Sequence, residues 1–443
     1  MSSSSKKIKV LKFGGTSVKN PQRISHVAQI VASVSAEYKT IVVVSAMGDT
    51  TDSLVRLAGR CSEKPNPREL DVLLASGEQQ SIALLSIVLS DLDIKAKSFT
   101  GGQLGIITES NYGNAEILSI DAGKIDEAFA SNDVIVVAGF QGVTAAGDIT
   151  TLGRGGSDTS AVAIAAAVGA ELCEIYTDVD GIFTADPNII DGAIQHTRIS
   201  YSDCLEMAAK GAQVIHPRAV ECARENSVAL RVRSVFNPDN CGTVIEADVV
   251  SSSSLARNYI VGVTAVDGFS ILKIEFDSSL IHSQLIHDAV QSEVGHVNLI
   301  ETFVPPETAN CSVASYIVSG LNRSSGQKLV EDLAEIPGVR NASIKFEITC
   351  ICLVGSGAKA EVAGSFGSSS TLCSGSLTGL LEDWEQRGLL EGLPLTVGEQ
   401  SVALYVAYEH SRQAWTSLHE VLLPRLKSDE SVCHLSAVGA ASF

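Results

Sequence analysis

The sequence predicts an α/β protein in which a mostly parallel sheet covered by helices is followed by two smaller ferredoxin-like α+β units. Three observations carry this reading. From residue 8 to about residue 247, apolar strand-like runs alternate with helical patterns, as in a parallel sheet whose crossovers are helices. A run of four serines, 251–254, breaks that rhythm. Beyond it the order becomes strand, helix, strand, strand, helix, strand. With 443 residues, 45% of them hydrophobic, the chain is long enough for about three domains with buried cores.

The elements follow in order. Lys9, Val10 and Leu11 open a buried strand. Asn20 before Pro21 is an N-cap with proline at the first helical position, and Ile24, Val27, Ile30 and Val31 continue that helix at helical spacing. Residues 41–45, 134–138 and 172–177 read as strands, and 76–89 as an apolar helix. Residues 249–258 read as a linker. The first small unit then takes strand 269–276, helix 284–294, strands 296–304 and 314–319, helix 327–336 and strand 339–346. The second begins at 349–354, resumes at 401–408 and closes with a helix through 415–422. The Ser/Gly-rich stretch 365–376 between them is expected to be a mobile loop. The expected partition is 8–248, linker 249–258, 259–347 and 348–430.

A net charge of −19 argues against a nucleic-acid surface, so a bound nucleotide has to be held by a few placed cations, backbone amides and a metal. The ten cysteines are scattered and form no CxxC pair. Cys350 and Cys352 lie in an apolar run as small hydrophobes, and a reduced, cytoplasmic setting is expected. Residues 1–7 lack the apolar core of a signal peptide and are expected to be disordered; no stretch reads as the ~18 apolar residues of a membrane helix.

Chemistry concentrates in three blocks. Lys12-Phe13-Gly14-Gly15-Thr16-Ser17-Val18 ends a strand in paired glycines, exposing backbone N–H groups beside a lysine, as a phosphate chain requires; alone it is also an ordinary glycine turn. Thr151-Leu152-Gly153-Arg154-Gly155-Gly156-Ser157-Asp158 opens a helix with glycines, and its arginine can clamp a carboxylate or phosphate. Thr177-Asp178-Val179-Asp180-Gly181-Ile182-Phe183-Thr184-Ala185-Asp186-Pro187 follows a strand, where small and acidic residues suit a ribose or an adenine edge. Neither a Walker A motif nor GxGxxG occurs.

In this order the blocks resemble the aspartate kinases of the amino-acid kinase superfamily, and the match covers residues 12 to about 246. Supporting segments are similar too: Val44-Ser45-Ala46-Met47-Gly48-Asp49-Thr50-Thr51-Asp52, Gly113-Asn114-Ala115-Glu116 and Gly139-Phe140-Gln141-Gly142. The resemblance implies an αβα sandwich followed by paired ACT regulatory domains that self-associate, as in a homodimer. It also implies ATP-dependent phosphorylation of the β-carboxylate of L-aspartate, the entry to lysine, threonine and methionine biosynthesis. By the same resemblance Lys12 and Asp158 are catalytic. Ser45, Thr51, Glu116 and Arg154 bind aspartate, with Arg154 on the α-carboxylate and Glu116 on the α-ammonium. Lys12, Gly14, Gly15, Thr177, Asp178, Phe183, Asp186 and Gln213 line the ATP site, and Mg²⁺ accompanies the nucleotide, with no residue assigned as a direct metal ligand.

The chain departs from the family pattern in four places. Gln213 stands where many relatives carry lysine, Phe183 where tyrosine is common, and Asn188 where a basic residue is frequent. In the first ACT-like unit Asp277-Ser278-Ser279 replaces the usual Pro-Gly effector turn, which implies altered or lost effector binding. Two alternatives stay open here: an amino-acid kinase with another carboxylate substrate, and a non-catalytic sensor that keeps the kinase fold as a scaffold. Glu116 with Arg154 argues against the first, and Lys12, Arg154 and Asp158 together oppose the second.

Overall fold

The computed structural model describes residues 6–212, 214–237, 239–247, 259–294, 297–303, 311–358, 384, 387, 390–397 and 400–426. The expected linker 249–258, the Ser/Gly-rich stretch 365–376 and Gln213 lie outside the described residues.

The first half is built on an eight-stranded sheet in the order Arg198–Ser200, Thr243–Glu246, Leu230–Ser234, Cys173–Thr177, Ile8–Phe13, Lys39–Val44, Val134–Ala138 and Ala96–Phe99. Its pairings are parallel except that of Thr243–Glu246 with Leu230–Ser234. The inner strands are apolar at successive positions because both faces are covered. On one face Val10, Ile41, Val43, Ile135 and Val137 pack with Ala161 and Ile164 of the helix Gly156–Ala167. On the other, Leu11, Phe13, Val42, Val44 and Val136 meet Ile24, Val27, Ile82 and Leu85. Asn20 caps its helix as expected, its Oδ1 accepting from Arg23 N–H at 2.9 Å. A small sheet of Ile117–Ile120, Ile106–Thr108, Gln141–Val143 and Ile149–Thr151 forms beside the strand ends.

The apolar helix is longer than expected, running from Pro67 to Asp91. By length and composition alone it is long and apolar enough to cross a membrane, which corrects the expectation that no stretch is. Here it is a core helix: Leu74, Ala75, Ile82, Leu85 and Leu89 are buried, and it also buries two carboxylates, Asp71 and Glu78.

The second half contains one six-stranded sheet in the order Val297–Phe303, Cys311–Ser319, Gly262–Asp277, Val339–Val354, Ser401–Ala407 and Leu390–Val397. Two of these strands run through both expected units. Residues 269–277 and 339–348 pair within the first unit, whereas residues 262–266 pair with 350–354, which in turn pair with Ser401–Ala407. The crossing is marked by register shifts and by Glu347, which adopts φ 61. The expected division at 347/348 falls inside the single strand Val339–Val354. The fourth strand of the second unit is supplied by the segment that precedes the first. Sequence reading placed no strand at 262–266.

The two halves are joined by hydrogen bonds. Val263 N–H donates to Thr184 O at 2.7 Å and Thr184 Oγ1 lies 2.9 Å from His419 Nε2, while within the second half Trp415 Nε1–H donates to Val263 O at 2.9 Å. His196 Nε2 reaches Val261 O at 2.9 Å, and Tyr259 OH donates to Asp203 Oδ2 at 2.8 Å.

Candidate active site

Lys12 lies near the C-terminal end of its strand and is 9% exposed. Its Nζ stands 2.6 Å from Asp158 Oδ1, an ion pair rather than an aligned hydrogen bond. Gly14 passes beside the ammonium in extended backbone, and Gly15 packs against the next loop; a Cβ on Gly15 would lie 2.8 Å from Ala46 O. That loop starts at Ser45, whose N–H donates to Phe13 O at 3.1 Å, and runs into the helix Thr50–Cys61 carrying Thr51 in its first turn.

The opposite wall is the glycine loop before Gly156–Ala167. Gly155 has φ 69, and a Cβ on it would fall 2.2 Å from His216 Cγ, so only glycine fits both the conformation and the space. The turn presents the helix N-terminus, with its unpaired N–H groups and positive dipole end, to the cleft. Buried Asp71 supports this wall from behind by accepting from Thr151 N–H (2.9 Å), Thr151 Oγ1–H (2.7 Å) and Gly113 N–H (2.9 Å). Arg218 Nη1 donates to Leu152 O at 2.6 Å.

Lys12, Ser45, Thr51, Arg154 and Asp158 thus line one cleft of about 440 Å³, together with Glu78, Phe140, Ser157 and the loop glycines. A lysine, an arginine and a helix N-terminus, with the Lys12 ammonium paired to Asp158, suit a polyanionic ligand and a carboxylate substrate.

Other expected site residues lie elsewhere. Glu116 is exposed and outside the lining of the cleft, its carbonyl accepting from Glu109 N–H at 3.1 Å. Thr177 Oγ1–H donates to Asp178 Oδ1 at 3.1 Å, and neither residue lines the cleft. Phe183 and Asp186 line a second cavity of about 240 Å³, with Asn188 from the same loop and Thr264 and Trp415 from the C-terminal half. Asp186 Oδ1 accepts from Asn188 N–H at 2.9 Å.

Sequence reading missed Glu78. It is 2% exposed, its Oε1 accepts from Ala46 N–H at 2.9 Å, and burial pushes its carboxyl up to about 7. The available signal was a lone carboxylate within an apolar helical run.

No group of three His, Cys, Asp or Glu side chains that could hold a metal occurs among the described residues. Asp158 is a cleft carboxylate that would hold a Mg²⁺ arriving with nucleotide phosphates, since this ion keeps several waters and takes one or two protein carboxylates.

The amino acid kinase family matches residues 7–234. The aspartokinase of Geobacillus stearothermophilus is 42% identical over 354 residues, covering 79% of this chain and 84% of that protein. Among solved structures, the aspartate kinase of Synechocystis is 34% identical with a TM-score of 0.51, covering 94% of this chain and 69% of that one. E. coli aspartokinase III, crystallised with lysine and aspartate, has a TM-score of 0.69 at 22% identity, covering 94% of this chain and 99% of that one, a likeness of fold. A lysine, an arginine and an aspartate gathered in one cleft on this sheet agree with those matches, and the chain belongs to the amino acid kinase family and, within it, to the aspartokinases.

Proposed function

We propose that the 440 Å³ cleft is where this aspartate kinase moves the γ-phosphoryl group of ATP onto the β-carboxylate of L-aspartate, giving 4-phospho-L-aspartate. The observation that carries the reading is the near-buried Lys12–Asp158 pair lining one cleft with Arg154. The aspartate side chain ordinarily titrates at about pH 3.9 and is already ionised at neutral pH, so no general base is required. What remains is in-line placement and neutralisation of charge on the phosphoryl group. Lys12 meets that charge, Asp158 fixes Lys12, and the N–H groups around Gly14, Gly15 and Gly156 add fixed dipoles. Arg154 clamps the α-carboxylate, while Ser45 and Thr51 donate hydrogen bonds to the substrate. Glu116 accepts from the α-ammonium at the open side. Asp158 would hold a nucleotide-borne Mg²⁺ through water, and the ion would supply charge neutralisation.

Thr177, Asp178, Phe183, Asp186 and Gln213 complete the nucleotide site in this reading. The chain divides into a kinase domain 8–248 and two ACT-like units through which copies pair, in a cytoplasmic homodimer serving lysine and threonine synthesis. The test is acyl-phosphate formation from ATP, Mg²⁺ and aspartate, trapped as the hydroxamate. Product with aspartate is expected, and its absence with aspartate but presence with another amino acid would overturn the substrate assignment.

A further inference from the structure

Two segments distant in sequence, 113–115 and 151–152, are fastened to each other beside the cleft. Asp71, fully buried, accepts Gly113 N–H at 2.9 Å from one segment and Thr151 N–H and Oγ1–H at 2.9 and 2.7 Å from the other. Ala115 N–H donates directly to Thr151 O at 2.9 Å. Arg218 makes a further fastening, its Nη1 donating to Leu152 O at 2.6 Å and to Asn114 Oδ1 at 3.0 Å. Gly153 permits so close an approach. It has φ 74, and a Cβ on it would lie 2.7 Å from Asn114 Oδ1 and 3.6 Å from Arg218 Nη1.

Arg218 comes from a third element, the helix Pro217–Glu225, whose N-cap His216 packs its ring against Gly155. A cation in the first turn of a helix faces the positive end of the dipole, which disfavours it there. The two acceptors on the neighbouring segments account for the arginine at this place. Gly153, Arg154 and Gly155 line the cleft, whereas Arg218 and Asn114 stand behind that lining.

The opposite charges assigned to the substrate follow at once in the chain: Glu116 after Ala115, and Arg154 two residues after Leu152. A free α-amino acid carries its ammonium and carboxylate on one carbon, so holding both requires those side chains at a set separation. Misplacing such groups by about 1 Å can cost about 100-fold.

We propose that Arg218 is a positioning residue for the amino-acid substrate: by bonding Asn114 and Leu152 together it sets the distance between Glu116 and Arg154. Arg218 itself does not touch the substrate. The inference rests on the cleft being the aspartate site.

The test uses the full-length enzyme and its Arg218→Ala variant. Loss of a charged donor shared by two acceptors should raise KM for aspartate about tenfold or more, with kcat and KM for ATP within about twofold of wild type. Millimolar guanidinium chloride should bring KM for aspartate back toward the wild-type value, and sodium chloride at equal ionic strength should not. Asn114→Ala removes one of the two acceptors at an exposed position, and should raise KM for aspartate about threefold with kcat unmoved. An unchanged KM for aspartate in Arg218→Ala overturns the proposal. So does a matching loss in kcat and in KM for ATP without rescue by guanidinium, the pattern of a merely structural role. If Arg218→Ala fails to fold, Asn114→Ala decides, and an unchanged KM for aspartate there overturns the proposal. Absence of hydroxamate from the wild type would instead defeat the aspartate reading of the cleft, whatever the variants do.

Discussion

Lys12→Ala tests both the catalytic and the structural side of the cleft. At 2.6 Å from Asp158, with an effective dielectric of about 20, the pair attracts by about 6 kcal/mol before desolvation is subtracted. Asp158 has a side chain only 14% exposed, so removing the ammonium leaves a near-buried carboxylate alone, and the fold should lose about 3 kcal/mol. Chemistry should suffer separately. Losing one preorganised charge aimed at the transferring group costs about 10²- to 10³-fold in kcat. Aspartate affinity should persist, because Lys12 is assigned to the phosphoryl group. The assay pairs ADP release with calorimetric titration of aspartate, and denaturant melts of Lys12→Ala, Asp158→Asn and the double variant. Since neither charge is stranded in the double variant, it should be about 2 kcal/mol more stable than the sum of the single losses implies. Strict additivity of stability, or an unchanged kcat in Lys12→Ala, would refute the argument.

Four further outcomes follow from the geometry. Glu78 has its carboxyl raised from 4.5 to about 7 by burial, so the folded state holds a proton that the unfolded chain releases. Its contribution of about 3 kcal/mol is present below pH 4.5 and lost as pH rises through 7. Glu78→Gln should therefore melt higher than wild type at about pH 8 without substrate and equally at pH 4.5; a lower melt at the alkaline end contradicts this. His196 behaves oppositely: burial lowers it from 6.5 to about 4, so about 3 kcal/mol of stability present above pH 6.5 is lost as pH falls through 4. His196→Gln should flatten that slope in melts at stepped pH, and an unaltered slope would exclude the residue. Gly155→Ala must place a methyl 2.2 Å from His216 Cγ at φ 69; about 1–2 kcal/mol of backbone strain plus the clash should shift the Arg154 loop and cut kcat/KM for aspartate at least tenfold, and full activity would show that the loop yields freely. Trp415→Phe deletes the bond to Val263 O, worth about 1 kcal/mol, next to Thr184 in the expected nucleotide loop, so KM for ATP should rise a few-fold with KM for aspartate unmoved; the reverse pattern would detach that loop from the nucleotide.

Much of the cleft was legible because its residues sit in short motifs whose physics is local. A strand ending in Lys12-Phe13-Gly14-Gly15 and a helix opened by Gly155 and Gly156 are local patterns whose glycines and charged side chains mark a loop suited to an anionic ligand once they occur together. Glu78 was illegible for the converse reason. A carboxylate among apolar residues at helical spacing reads as a solvated position, and only the approach allowed by Gly77 turns it toward Ala46. Residues 262–266 were missed because a five-residue strand beside a serine run takes its identity from partners at 350–354, and such a distant pairing leaves no local pattern. The parallel sheet of the first half, by contrast, advertises itself strand by strand, since each inner strand is apolar on both faces.

The crossing of residues 262–266 into the second unit has a consequence for the order of synthesis. That segment emerges from the ribosome soon after the kinase half and can already bond Thr184 and His196 through Val263 and Val261. Its sheet partner 350–354 appears only after the whole first unit, and Trp415 and His419, which close over the same loop, come last of all. The first unit is thus an insertion looped out of the second. A nascent or prematurely stopped chain ending near residue 354 carries a complete set of cleft residues, yet Thr184 and Val263 lack the helix that covers them. Synthesis of the stretch carrying Trp415 and His419 is therefore the step that covers the loop at Thr184.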